Sequence, residues 1–171
     1  MACNQTINGL IRDCAASIGG IVEAYIVNYD DVTAVAVETD QIKTITLASD
    51  KKFKKFQFRR GTGSMSSSLQ VDNASGNNYV QTDVVLQFNK METTKRIEMA
   101  ALSVGELAVI VKDANGLYWY LGYDEPVMAS AGDGQTGTAR GDANRYTITL
   151  QDNAKTWPYE VPESVVTPLV D

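Results

Sequence analysis

The sequence predicts a mainly β, α+β domain with one flanking helix. Short runs rich in Val, Ile, Thr and Tyr recur between clusters of Gly, Asn, Asp and Ser, the pattern of half-buried strands separated by turns. A single segment combines helical spacing with start and stop signals. At Asn115-Gly116, flanked by apolar runs on both sides, two residues tolerant of positive φ give the chain's strongest short-range hairpin signal.

Taken in order, Ile7, Leu10, Ile11 and Cys14 or Ala15 fall at helical spacing before Gly19-Gly20 stops the pattern, so residues 3–20 read as a short helix or a structured loop. Ile21–Tyr29, Val32–Val37 and Ile42–Leu47 are β-rich runs, parted by turns at Asp30-Asp31 and Thr39-Asp40-Gln41. In Lys51–Arg60 six basic residues surround three phenylalanines with no acidic residue among them. After Gly61-Thr-Gly-Ser64, Met65, Ser67, Leu69 and Val71 alternate with Ser66, Ser68 and Gln70. The cluster Asp72–Asn78 follows, then Val80, Val84, Leu86 and Phe88 on one face oppose Gln81, Asp83 and Gln87 on the other. The two runs predict a long hairpin with a polar, solvated tip.

Asn89 followed by Glu92 has capping-box spacing, and Gly105 is a suitable stop. The helix is expected over about Met91 to Ser103, burying Ile97, Ala100 or Ala101, and Val104, with Glu92 paired to Arg96. The hairpin Glu106–Gly122 comes next. A two-residue turn would pair Lys112 with Trp119 and Ile110 with Leu121 on one face, and Val111 with Tyr120 on the other. Both faces are then largely apolar and need two covers: the core, and either a helix of this chain or another copy. Pro126–Ser130 reads as a short strand, Ala131–Asp142 as a Gly-rich loop, and Tyr146, Ile148 and Leu150 mark a last strand. The tail from Trp157 carries Pro158, Pro162 and Pro168 and should be extended. Trp157 and Tyr159 at its root suit docking on a neighbour. In all, about nine strands and one helix are expected in one domain spanning 1–171, with 1–20 and 157–171 as candidate assembly arms.

The composition, 44% hydrophobic and 21% charged, is that of a globular domain. No apolar run approaches the about 20 residues of a membrane helix. The opening Met-Ala-Cys-Asn-Gln-Thr lacks a secretory signal's basic and apolar regions, so synthesis in a cytoplasm is expected, with Cys3 and Cys14 reduced. The chain has no histidine, which removes the usual general base, the commonest metal ligand and every Ser-His or Cys-His pair. The expectation is a non-enzyme that needs no cofactor, metal or small-molecule substrate. A net charge of -6 opposes a surface that grips nucleic acid throughout.

Local motifs carry little chemistry. Gly132–Gly141 lacks the Gly-Lys-Ser/Thr and following helix of a phosphate loop. Arg140-Gly141-Asp142 spells an adhesion tripeptide, and Asn4-Gln5-Thr6 and Asn73-Ala74-Ser75 fit the glycosylation sequon; all three are read as incidental in a chain without a secretory signal. Asp113, Asp124, Glu125, Asp133 and Asp142 match no calcium-loop spacing, and Asx turns account better for the aspartates in turns. The basic run has three readings: a nucleic-acid contact with bases stacked on Phe, an edge strand protected by lysines, or an arm pairing with an acidic surface of another copy. Acidic residues exceed basic ones elsewhere, so the last reading supplies its own partner. The candidate assembly contacts are Lys51, Lys52, Lys54, Lys55, Arg59, Arg60, Asp72, Asn77, Trp157 and Tyr159.

The order of elements, a β-rich domain with one interposed helix, a polar-tipped hairpin, a basic segment and an extended tail, resembles that of tail tube proteins of long-tailed bacteriophages. The strings Gly9-Leu-Ile-Arg-Asp-Cys14 with Gly19-Gly20-Ile21, Lys112-Asp-Ala-Asn-Gly-Leu-Tyr-Trp-Tyr-Leu-Gly122 and Gly137-Thr-Ala-Arg-Gly-Asp-Ala-Asn-Arg-Tyr146 are similar to stretches in virion structural proteins of tailed phages infecting Bacteroides-type gut bacteria. The resemblance implies a two-sheet β-sandwich or barrel flanked by the helix. It further implies a subunit that forms rings, hexameric in that family, which stack into a tail tube with other tail proteins and pass DNA as transient cargo. Loops and arms would lock one ring to the next. An acidic wall suits such a conduit, since it repels phosphate. A head-to-tail connector or terminator ring is the alternative, and a nucleic-acid-binding protein using segment 51–60 the second. The resemblance carries over no site residues.

Overall fold

The computed structural model describes residues 3–171. Eleven strands among them form two sheets. The strands are β1 (Ile21–Asn28), β2 (Val32–Glu38), β3 (Gln41–Leu47), β4 (Lys54–Gln57), β5 (Ser64–Asp72), β6 (Asn77–Asn89), β7 (Leu107–Asp113), β8 (Tyr118–Leu121), β9 (Met128–Gln135), β10 (Arg145–Ala154) and β11 (Tyr159–Val161). The seven-stranded sheet has the order β2-β3-β11-β8-β7-β1-β4, the four-stranded sheet β5-β6-β10-β9. All ladders are antiparallel except β11 with β3. Helix α1 (Thr93–Val104) packs on β9 and β10, and a single turn α2 (Glu163–Val166) lies near the end of the chain. The fold is therefore the mainly β two-sheet sandwich with a flanking helix that the sequence predicts, without closure into a barrel.

The β7–β8 hairpin lies at the centre of the large sheet, apolar on both faces as expected. Val109, Val111 and Leu121 join Ile26, Val84, Leu86, Ile148 and Leu150 in the core between the sheets. Ala108, Ile110, Tyr118 and Tyr120 face the other way, into a second cluster with Tyr25, Ile42, Phe53, Val161 and Val166. The second cover is thus neither α1 nor another copy. It is the chain's own C-terminal segment: β11 inserts between β3 and β8, α2 contributes buried Val166, and Val170 forms a parallel bridge to Phe53.

The hairpin's register differs from the expected one by a single residue. Val111 pairs with Trp119 and Ile110 with Tyr120, because the loop has three residues. Gly116 N–H donates to Asp113 O, and only Gly116, at φ 91°, is left-handed while Asn115 is not. This is a type I turn followed by a glycine bulge. The Asp113 carboxylate fixes it by accepting from Asn115 N–H and Leu117 N–H, each at 2.9 Å, and from Trp119 Nε1 at 3.0 Å. The tight turn with two positive φ values falls instead at Thr39-Asp40, at 54° and 60°, between the paired Glu38 and Gln41.

Three further elements depart from expectation. Asn89 is not a helix cap: it remains in β6, paired with Arg145, and Lys90 at φ 63° turns the chain so that Glu92 occupies the cap position. Glu92 pairs with Lys95 at 2.8 Å and Lys90 at 3.6 Å rather than with Arg96. The helix buries Leu102 and partly Met99, while Ile97 and Val104, expected inside, are 55% and 85% exposed. The Gly-rich segment is half strand, since β9 runs through Gly132 and Gly134. A Cβ at Gly134 would meet the Tyr146 ring at 2.9 Å and Met91 Cε at 3.3 Å, so the glycine is what admits them. Residues 3–20 form no regular element apart from isolated bends, and all are exposed.

Candidate assembly surfaces

The basic run divides into a buried anchor and an edge. Phe53 is fully buried, donating its N–H to Leu169 O and accepting from Asp171 N–H. Lys54–Gln57 then pair with β1 as the terminal strand of the large sheet, its other edge without a ladder partner. The four lysines find partners within the chain. Lys51 lies 3.7 Å from Asp31, Lys55 lies 2.7 Å from Glu23, Lys54 pairs with Asp171, and Lys52 donates to Pro168 O at 3.4 Å. The hydrogen bond from Lys54 holds the Asp171 carboxyl below its usual range. At Glu23, desolvation by burial raises the carboxyl, but hydrogen bonds from Lys55 and Tyr25 outweigh it and the net shift is downward. Arg59 and Arg60 are exposed and form no ion pair among the described residues. Lysines on a short terminal strand hinder indiscriminate edge pairing, yet the outer backbone groups of β4 have no ladder partner.

Asp72 and Asn77 close the β5–β6 hairpin as its last pair. The Asp72 carboxylate accepts from Ala74 N–H at 2.9 Å, and Gly76 N–H bonds to Asp72 O. Hydrogen bonds from Ser75 and from the backbone hold this carboxyl low, so Asp72 shapes the tip. On its way to the tip the hairpin carries Leu69, Val71 and Tyr79 at 49%, 55% and 40% exposure.

Tyr159, at the root of the tail, is half-buried, edge-on to Tyr123 at 5.1 Å between ring centroids. It belongs to the second core cluster. Trp157 stays 54% exposed. Segment 157–171 is therefore woven into its own sheet and is not a projecting arm. Nor do the ten candidate contacts form one patch. The lysines gather at β4 with the last residues of the chain, Asp72 and Asn77 lie at the tip of the other sheet, and Trp157 and Tyr159 lie at β11.

Two apolar surfaces lie outside the ten candidate contacts, one of them in the candidate arm 1–20. In the N-terminal segment Ile7, Leu10 and Ile11 are 90%, 102% and 99% exposed. Contact with the body begins only where Asn115 Oδ1 accepts from Ile18 N–H at 2.9 Å and Asn115 Nδ2 donates to Ser17 Oγ at 3.1 Å. Between β4 and α1 lie two adjoining cavities of about 420 Å³ each, which share Lys54, Phe56, Glu98 and Leu102 as lining. The helical spacing of Ile7, Leu10 and Ile11 signalled burial, yet nothing in their own chain covers them.

Asp152 is the other feature without a sequence signal. It is 3% exposed, and its Oδ1 has no partner. Burial pushes its carboxyl up to about 6, reinforced by Asp124 and Glu125 against a hydrogen bond from Gly122 N–H. The Tyr120 hydroxyl is likewise buried and unpartnered, and burial raises it. Among the described residues no group of three or more Cys, Asp or Glu could hold a metal ion. Cys3 and Cys14 are free and exposed. No helix among those residues is long and apolar enough to cross a membrane.

Fold and surfaces together define a mainly β sandwich whose unusual features are uncovered apolar segments and sheet edges. Comparison with known proteins returns no match, whether to family models, curated proteins or solved structures.

Proposed function

We propose that this chain is a self-assembling virion structural protein, the tail tube subunit of a tailed phage, which forms rings that stack into a conduit for DNA. The observation that carries the reading is the N-terminal segment with Ile7, Leu10 and Ile11 almost wholly in water. A monomer gains nothing from three large apolar side chains displayed in this way, whereas an assembling subunit buries them against its neighbours. The resemblance in element order and local strings supplies the tube. The net charge of -6 fits a wall that releases DNA. A nucleic-acid grip through Lys51–Lys55 is less favoured, because their charges already meet Asp31, Asp171, Glu23 and Pro168 O.

Size-exclusion chromatography and negative-stain electron microscopy across a concentration series test the reading. Long hollow tubes are expected, isolated rings would move the assignment to a connector, and a monomer at every concentration would refute it. A chain with Lys51, Lys52, Lys54 and Lys55 all changed to Gln should keep its fold, since the pairs lie at the surface and contribute little. Unaltered assembly in that variant removes the lysines from the contact.

A further inference from the structure

We infer that residues 7–14 of one copy dock as an added strand in the groove between β4 and α1 of a second copy. The inference rests on the assembly reading and names its contact. The groove has the two properties an extended peptide needs. One wall is the outer edge of β4, whose backbone groups have no ladder partner. The floor is apolar, with Phe56, Leu102 and Phe88 lining its β4–α1 portion. Strand addition draws its affinity from such an edge and its selectivity from pockets for alternate side chains.

The chain itself supplies the occupant. Residues 3–14 contain no regular secondary structure, so their backbone is available for pairing. Ile7, Leu10 and Ile11 are exposed to 90% or more and pack against nothing in their own copy. Their segment is tethered by Ser17 and Ile18 to the β7–β8 turn at Asn115, and every described residue before that tether is exposed. Paired as a strand, the segment would set Ile7 and Ile11 on one face, and an uncovered apolar segment and an apolar groove on the same molecule satisfy each other between copies without a third component. The charges are compatible as well. Arg12 forms no ion pair among the described residues, nor does Glu98 on the helical wall of the groove, so each can supply the other's partner. Because arm and groove are different surfaces, the contact is head-to-tail. Repeated, it closes a ring or propagates along a stack.

Cross-linking between two distinguishable chains tests the contact. One chain keeps Cys14 with Cys3→Ser; the other carries Cys3→Ser, Cys14→Ser and Ala101→Cys, an exposed position on the α1 wall. After mixing and treatment with a short bismaleimide, the expected product joins the two different chains. A chain holding both Cys14 and Ala101→Cys that cross-links only to itself would overturn the inference in favour of an arm folded back on its own groove. In parallel, a chain with Ile7→Asn, Leu10→Asn and Ile11→Asn, none of them in the core, should shift half-assembly to at least tenfold higher concentration. Assembly by this variant equal to the parent's refutes the docking while leaving the assembly reading standing, whereas a parent chain that never associates refutes both.

Discussion

Changing Asp152 to Asn should stabilise the protein, and by an amount that depends on pH. The carboxyl is 3% exposed, one oxygen has no partner, and its usual value of 3.8 is raised to about 6 by burial and by Asp124 and Glu125. A carboxyl raised on folding favours the folded state while protonated. That contribution is complete below 3.8, where both states are protonated, and is lost as pH climbs through about 6. The displacement corresponds to about 3 kcal/mol, spread over that interval. Asn cannot ionise, so the stability of Asp152→Asn minus that of the parent should grow by up to about 3 kcal/mol between about pH 4 and about pH 8. Urea unfolding of both chains at several pH values measures this. Taking the difference cancels Glu23, Asp142 and Asp171, whose carboxyls are held low and which act with the opposite sign. A difference that stays flat over the range would show that Asp152 is solvated or partnered, and the reasoning would fail.

Two further predictions concern the segments read most differently by sequence and structure. Phe53→Ala should cost about 3–5 kcal/mol in chemical denaturation, the range for emptying a buried aromatic site. The lysines on either side are dispensable to the fold, so one run separates an anchor from a surface. Asp113→Ala should lose about 1–3 kcal/mol by the same assay, because two loop N–H groups and the Trp119 indole lose a charged acceptor, with Asp113→Asn intermediate. A loss confined to a few tenths would mean that Gly116 alone holds the loop.

Much of the fold was legible because alternation is a direct record of which face is wet. Val80, Val84, Leu86 and Phe88 point inward as their spacing requires, and the hairpin at Asn115-Gly116 is where the dipeptide places it. Its register was not legible, since the Asp113 carboxylate decides it by favouring a loop one residue longer than the Asn-Gly signal suggests. At Thr39-Asp40 the turn was legible but its type was not: Asp tolerates positive φ, whereas β-branched Thr39 does so poorly and the β2–β3 ladder holds it there. Glycine concealed β9: Gly132 and Gly134 depress strand propensity, and only the folded neighbours explain them, the Tyr146 ring beside Gly134 and Thr147 O 3.3 Å from where a Cβ on Gly132 would lie. In α1 the sequence identified a helix but selected the wrong face, since Ile97, Ala100 and Val104 make as good a stripe as Met99 and Leu102. The packing of α1 on β9 and β10 breaks the tie. Among the candidate contacts, an edge strand was one legible reading of Lys51–Arg60. The partners that occupy its lysines, Asp31, Glu23 and Asp171, are remote in sequence and only folding brings them there.

The position of β11 between β3 and β8 also fixes an order of events on the ribosome. The β2–β3 hairpin is among the first elements translated, yet its sole ladder to the rest of the large sheet runs through Tyr159–Val161, among the last. Until those residues emerge the hairpin has no ladder neighbour, and the cluster that Ile42 and Ile45 enter lacks Val161 and Val166. Contacts spanning so much of the chain form slowly, so the early hairpin spends synthesis as a loose flap that the tail later stitches down. Nascent chains should remain protease-sensitive at β2 and β3 until the tail has cleared the exit tunnel, then become resistant in one step.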